Sequence, residues 1–459
     1  MTDDPSRSRR ARDLAPLRWS VATAAFQIEG ARHADGRGRS IWDDFVERPG
    51  AVLDGTTAEP GPDSWHRWRE DIALVAGLGV DRYRFSLSWV RVQPEHGRPA
   101  NRVAIDRYSR MVDALLEAGV TPFVTLYHWD LPSALEERGG WLDRATSFAF
   151  ADYVEAVVGA LGDRVSDWYT INEPVSTTLQ GYAIGELAPA QTLLFDALPT
   201  VHHQLLAHGL AQEIIRSASA GRVGIVNNHT AVRPASEGDD DVTAAGIYDL
   251  LHNRLFADPV LRGEYPDIGM LGVPDLPIAD GDLALISRPS DFYGVNYYNP
   301  TRVGAAPPDS PIPFDLLPID GAPTTGFDWT IDPQGLRAVL DELDARYGDA
   351  LPPIVIGENG ASFPEPDETS HTIDDAARID YLARHLDTVD QAREDGLDVA
   401  EFTVWSLLDN FEWADGFTQR FGLVHVDHRT SVRTPKASYS WLRDRISADR
   451  ARAESGVDA

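Results

Sequence analysis

The chain has 459 residues and no cysteine, and its 41 basic and 72 acidic side chains leave a formal net charge of −31. That charge repels phosphate backbones and anionic lipid, which excludes general nucleic-acid and membrane-surface binding. The missing thiols exclude disulfides, thiolate metal centres, iron–sulfur clusters and a cysteine nucleophile, and a 43% hydrophobic content excludes global disorder.

Residues 1–17 read as a disordered polar tail. It holds Arg9-Arg10, but Asp13, Pro16 and Arg18 interrupt any apolar signal core, so a cytoplasmic chain is expected. Short β-branched or aromatic runs then alternate with helical patterns. Strands are expected at 20–24, 82–85, 122–126, 168–171, 223–226, 292–295, 354–356 and 402–405, each bounded by turn or polar residues. Among the helical stretches, 65–78 stops at Gly79, 105–118 at Gly119 and 201–218 near Gly221. No apolar run reaches the roughly 20 residues a membrane-spanning helix needs. Asn228-His229-Thr230 fits a glycosylation sequon, a chance match in a cytoplasmic chain. Asp239, Asp240 and Asp241 read as a solvated loop, since consecutive side chains cannot all face one ion. Residues 304–328 are rich in proline and lack a helical period, which suits a long βα loop. Eight strand–helix units with no Gly/Ser/Pro linker predict one α/β domain, a closed (β/α)8 TIM barrel over 18–446 with long βα loops at its C-terminal face, then a disordered tail over 447–459.

Two carboxylates stand where such barrels do chemistry. Glu173, in Asn172-Glu173-Pro174, follows the fourth strand, and Glu358, in Glu358-Asn359-Gly360, follows the seventh. Both fall at the C-terminal mouth, far apart in sequence, so only the fold can join them. Paired carboxylates flanking a bond are what glycoside hydrolysis requires, whereas an inert buried pair would be costly. Other constellations carry less. His202, His203 and His208 lie one and five residues apart, not on a paired i, i+4 metal face, and read as helix packing. Gly36-x-Gly38 and Gly77-x-Gly79 do not complete a dinucleotide fingerprint, and no Gly-x-Ser-x-Gly elbow is present. No metal or organic cofactor is implied.

The chain carries a series of longer motifs in order. They are Thr23-Ala24-Ala25-Phe26-Gln27-Ile28-Glu29-Gly30, Tyr83-Arg84-Phe85-Ser86-Leu87-Ser88-Trp89, Thr125-Leu126-Tyr127-His128-Trp129-Asp130-Leu131-Pro132, Val295-Asn296-Tyr297-Tyr298 and Trp405-Ser406-Leu407-Leu408-Asp409-Asn410-Phe411-Glu412-Trp413, with the two glutamate tripeptides between them. Over about residues 18–441 the sequence thereby resembles glycoside hydrolase family 1, the β-glucosidase family, whose fold is a (β/α)8 barrel.

The resemblance implies a retaining mechanism, with Glu358 as nucleophile and Glu173 as acid and then base, their carboxyls about 5–5.5 Å apart. Arg84 and Tyr298 match positions that contact the nucleophile, Asn296 one that supports Tyr298 and the nucleophile region, and Asn296 and Tyr298 are both implied in substrate binding. Burial and a negative neighbour should raise the pKa of Glu173. Gln27, His128, Asn172, Glu412 and Trp413 match residues that bind the sugar hydroxyls, Asn172 the 2-hydroxyl. Trp405 would floor the sugar ring, with a core tryptophan as the equal alternative, and Trp329 matches the aglycone platform. The counterpart of Glu412 binds the 4- and 6-hydroxyls, whereas relatives that cleave 6-phospho-glycosides use a serine and a lysine in the loop that follows. Here that loop, Ala414 to Phe421, has Asp415 and no lysine, which disfavours phosphorylated sugars. One departure is Gly357, where the family usually has threonine.

The expected activity is that of a retaining β-glucosidase acting on terminal glucosyl residues of small β-glucosides and cello-oligosaccharides. A β-galactosidase, β-fucosidase or transglycosylase of the same family and a non-catalytic sugar-binding protein are the alternatives. The expected partner is a small β-glycoside, with no nucleic acid and no membrane, and homo-oligomerisation is open.

Overall fold

Strand runs that are apolar on both faces need cover on both sides, and a closed parallel barrel inside a ring of helices supplies it. The computed structural model, which describes residues 14–273, 275–365 and 373–455, has this form. Its strands are β1 (Arg18–Thr23), β2 (Arg82–Ser86), β3 (Thr121–Tyr127), β4 (Asp167–Asn172), β5 (Arg222–Asn228), β6 (Tyr293–Asn296), β7 (Ile354–Asn359) and β8 (Val399–Trp405). Each overlaps one of the eight expected strands. Neighbours pair in parallel around the ring, and Trp19 opposite Phe402 closes β1 onto β8. Every residue of β2, β4 and β7 is buried.

Large side chains fill the barrel axis. Phe123, Tyr169, Val226, Phe292 and Val355 form one buried cluster, with Phe123 stacked 4.5 Å from Tyr169 and edge-on to Phe292 at 5.4 Å. Burying one such side chain contributes roughly 1.5–3 kcal/mol. The N-terminal end is sealed by charge instead. Arg82 pairs with Asp167 at 3.2 Å and with Glu401 at 3.1 Å, all three buried at the starts of β2, β4 and β8. Burial pushes the Glu401 carboxyl up, against the pull of Arg82. The opposite end is left open for a site.

The helix stops follow their residue chemistry. Helix Ser64–Leu78 ends on Gly79 at φ 78, and helix Arg102–Glu117 starts where the Asn101 side chain accepts from Val103 N and ends before Gly119 at φ 76. Helix Pro199–Ala218 ends differently from expectation, on the extended Ser219. Gly221 serves instead to admit the Trp168 indole, whose Nε1 lies 2.6 Å from where a β-carbon would sit. His202, His203 and His208 all pack within this helix's surroundings: His202 on Tyr265 and Asp282, His203 on the Trp141 carbonyl, His208 between Thr170 and Gln212.

Several loop expectations are corrected. Asp239, Asp240 and Asp241 are the first turn of helix Asp239–Asp249, where acidic groups suit the helix dipole. Residues 304–328 are not irregular throughout. Strands Thr301–Ala305 and Phe314–Leu317 form an antiparallel pair, and Val232–Pro234 joins it to make a three-stranded sheet above the barrel rim. The boundary expected after residue 446 falls inside helix Ala437–Ser455, where Arg445 bonds Asp449 one turn on at 3.0 Å. Arg9-Arg10 and residues 456–459 lie outside the described residues. Among the described residues, no helix is long and apolar enough to cross a membrane.

Candidate active site

β4 ends on Asn172, and the next residue, Glu173, turns the chain at φ 48 into the short helix Pro174–Ser176. A left-handed glutamate is a strained choice that surrounding structure must hold. Glu173 N does so by donating to Val226 O at 2.9 Å, and Pro174 pre-sets the first helical turn. Glu358 sits near the end of β7, where the pairing with β6 shifts register between Ile356 and Glu358. Such irregularities re-aim a side chain, here toward the mouth. Gly360 beyond it lets the Trp405 carbonyl occupy the space a β-carbon would fill.

The two carboxyls face the same cavity but have unlike partners. Glu358 Oε1 accepts from Arg84 Nη1 at 2.6 Å, and Oε2 accepts from the Tyr298 hydroxyl at 2.6 Å. Glu173 takes only neutral donors: Asn296 Nδ2 at 2.7 Å and Asn228 Nδ2 at 3.2 Å on Oε1, and Ser176 Oγ at 2.8 Å on Oε2. Burial, and then the charge of Glu358, push the Glu173 carboxyl from 4.5 up to about 7. A chain of bonds links the two. Asn172 Oδ1 accepts from Arg84 Nη2 at 2.6 Å and from Asn296 Nδ2 at 3.2 Å. One carboxyl is thus held by a guanidinium and a phenol, while the other carries a proton near neutrality, a combination suited to a nucleophile and a general acid.

Around them lies a cavity of about 950 Å³ lined at its inner end by His128, Asn172, Trp405, Glu412 and Trp413. Asn172 Nδ2 donates to His128 Nε2 at 3.3 Å, and burial together with Arg84 holds this histidine far below its ordinary pKa, hence neutral. Its Nδ1 is buried without a partner among the described residues, as is Gln27 Oε1. Such orphaned polar atoms are rare and mark places where a polar ligand fits. Gln27 Nε2 donates to Asn410 Oδ1 and Phe411 O at 3.0 Å each and to Glu412 Oε2 at 3.3 Å. Burial first, then Asp415 and the two other glutamates, hold Glu412 well above the usual carboxylate range. Gln27, Arg84 and Asn296 are buried directly beside the lining residues, bonded to Glu412, Glu358 and Glu173 respectively. Trp405 is nearly buried yet lines the cavity, parallel to His128 at 5.9 Å. Trp329 lies farther out, stacked on Phe327 at 4.5 Å and 5.4 Å from Tyr298.

Asn228 and Ser176, both bonded to Glu173, were not among the expected residues. Asn228 ends β5, a position that in a barrel signals the site, although the local pattern Asn228-His229-Thr230 spells only a sequon. The outer wall comes from two π-helical segments, Thr177–Ala183 and Leu250–Arg254, and from the rim hairpin. Among the described residues, one cluster has metal-ligand spacing, Glu365, Asp409 and His425, and it already surrounds the Lys436 ammonium.

Comparison with known proteins gives a consistent result. The profile described as glycosyl hydrolase family 1 matches residues 15–451. Beta-glucosidase A of Thermotoga maritima is 40% identical over 427 residues, covering 92% of this chain and 95% of that protein. The bifunctional beta-D-glucosidase/beta-D-fucosidase of Bifidobacterium breve is 41% identical over 460 residues, covering 95% and 98%. The crystal structure of a psychrophilic beta-glucosidase from Micrococcus antarcticus superposes with a TM-score of 0.89 at 46% identity, over 94% of this chain and 97% of that one.

Proposed function

The chain belongs to glycosyl hydrolase family 1, and on that premise we propose that it is a retaining β-glucosidase in which Glu358 is the nucleophile and Glu173 the acid–base residue. In the first step the Glu358 carboxylate attacks the anomeric carbon, the glycosidic C–O bond breaks, and the leaving oxygen takes the Glu173 proton. A glycosyl ester remains. In the second step Glu173, now a carboxylate, accepts a proton from water as the water oxygen attacks the same carbon and frees Glu358. Two inversions return the β-anomer.

The unequal surroundings of the two carboxyls carry this reading. Arg84 and Tyr298 hold Glu358 with one donor on each oxygen, while burial and the charge of Glu358 keep a proton on Glu173 up to about pH 7. Esterification removes that charge, so Glu173 becomes more acidic when the reaction needs a base. On the sugar side, Asn172, His128, Gln27 and Glu412 provide the polar contacts, with Asn172 on the 2-hydroxyl. Trp405 and Trp413 flank the ring, and Trp329 lies under the aglycone. A second glycone, β-D-fucose, is favoured by the bifunctional Bifidobacterium relative. Cytoplasmic action on small glycosides is part of the same proposal, checked by cell fractionation.

The test is a panel of p-nitrophenyl β-glycosides with product stereochemistry followed by NMR. Turnover with initial release of β-glucose is expected. Initial release of α-glucose, or no turnover, would sink the proposal.

A further inference from the structure

Lys436 is the only lysine in the chain, and it is buried, its side chain 0% exposed. Its ammonium donates to Asp409 Oδ1 at 2.8 Å and pairs with Glu365. His425 Nδ1 meets Glu365 Oε2 at 2.8 Å and stands 3.5 Å from Asp409 Oδ2. Arg420 and Arg378 lie farther off, 3.9 Å from Asp409 and 4.0 Å from Glu365. In a chain whose other basic residues are arginine and histidine, one compact cation thus sits between two buried acids, in the place a metal ion would take.

Asp409 belongs to the segment between Trp405 and Glu412. Its other contacts fix that segment. Oδ1 also accepts from Gly422 N at 2.9 Å, and Asp409 N donates to Val424 O at 2.9 Å. Lys436 N donates to Leu423 O at 2.9 Å, so the lysine backbone holds the stretch around Leu423 while its side chain holds Asp409 beside it. The next residue passes the constraint on. Asn410 Nδ2 donates to Ser406 Oγ at 3.0 Å, and its Oδ1 accepts from Gln27, whose amide also reaches Glu412.

We propose that Lys436 is a positioning residue for the sugar pocket: by bonding Asp409 and Glu365 it sets the course of residues 406–413 and so the place of Glu412 and Trp413 against the glycone. This rests on the glucosidase reading, in which Glu412 serves the 4- and 6-hydroxyls. Loss of the ammonium leaves the two carboxylates with His425 between them but without their cation on the other side, and their mutual repulsion moves the segment.

The experiment compares kcat/KM for p-nitrophenyl β-glucoside and its 6-deoxy analogue in the full chain and in K436M, K436R and H425Q. In K436M the ratio of the two should fall about tenfold, mostly through KM, because the arm that reads the 6-hydroxyl is displaced. K436R should recover part of the ratio and H425Q should lower it less. A folded K436M with an unchanged ratio overturns the proposal, since a merely structural lysine would lower both substrates alike. If K436M does not fold, H425Q decides: a lowered ratio supports the proposal and an unchanged one overturns it. A wild-type chain inactive on both substrates overturns the glucosidase reading, and this proposal with it. An active one with an unchanged ratio in the folded variant overturns this proposal alone.

Discussion

The Asn296 amide fills the space that a side chain on Gly357 would need: a β-carbon there would begin 2.8 Å from Asn296 Oδ1 and 2.7 Å from Val226 Cγ2. The same Asn296 donates the 2.7 Å bond to Glu173. The glycine beside the proposed nucleophile is therefore matched to its surroundings, and restoring the threonine usual in the family should do harm here. Gly357→Thr should push Asn296 off Glu173, losing a hydrogen bond to a carboxyl that becomes charged as its proton leaves, about 1.5–3 kcal/mol, which is roughly 10–100-fold in kcat. Because that bond favours the ionised form, the alkaline pKa of the rate profile should also rise. Steady-state rates across pH check both, and Val226→Ala in the same chain should relieve part of the loss. Unchanged rates would mean the neighbours shift freely.

The pH dependence follows from Glu173. Its proposed first-step role needs the proton, and burial with the neighbouring Glu358 charge keeps that proton on up to about pH 7. The profile of kcat/KM should therefore fall on the alkaline side near pH 7. In a trapped glycosyl ester the Glu358 charge is gone but the burial is not. Glu173 should then titrate lower, short of the ordinary 4.5. Carbon NMR of labelled glutamate reads both states, and identical titration with and without the ester would refute the coupling.

The same residue should weaken the fold. A carboxyl whose pKa rises on folding from 4.5 to about 7 costs nothing below pH 4.5, where both states hold the proton. The cost grows through that interval and is complete above pH 7, at most roughly 3 kcal/mol. Glu173→Gln should thus raise Tm at pH 8, leave it nearly unchanged at pH 4, and remove activity toward poor leaving groups. This is the usual exchange between stability and function at an active site. Equal Tm shifts at both pH values would point to packing rather than charge.

What could be read from the sequence follows from how each feature is encoded. The eight barrel strands are buried on both faces, so Val223 to Val226 or Ile354 to Ile356 stand out as apolar runs without a helical period. Glu173 and Glu358 stand out because a polar residue directly after such a run must lie at the mouth. The rim hairpin was hidden because its second strand, Phe314–Leu317, has four residues set among prolines, too few for an alternation to show. The expected end at 446 falls short of helix Ala437–Ser455 because the helix's outer half is alanine, serine, arginine and acid, whose support is an i, i+4 pair rather than a buried apolar face. Asn228, Ser176 and Lys436 act through partners distant in the chain or through one specific bond, and no local pattern announces such contacts.

The outer half of the cavity sets the last prediction. Eleven large hydrophobic side chains are exposed among the described residues, and Ile184, Leu194, Leu316 and Leu317, 37–56% exposed, all line this cavity. Apolar surface left open on a rim is cheapest to keep where a ligand covers it. Leu317 lies on the strand Phe314–Leu317, outside the set of residues bonded to Glu173 and Glu358, so its removal should change only what the aglycone meets. Leu317→Ser should lower kcat/KM for octyl β-glucoside about fivefold, the effect of roughly 1 kcal/mol of lost apolar contact. β-Glucosyl fluoride has no aglycone to lose that contact, so its kcat/KM should not change. A fall on both substrates would show that the hairpin supports the catalytic end of the pocket, and no fall on either would show that the alkyl chain leaves by another face.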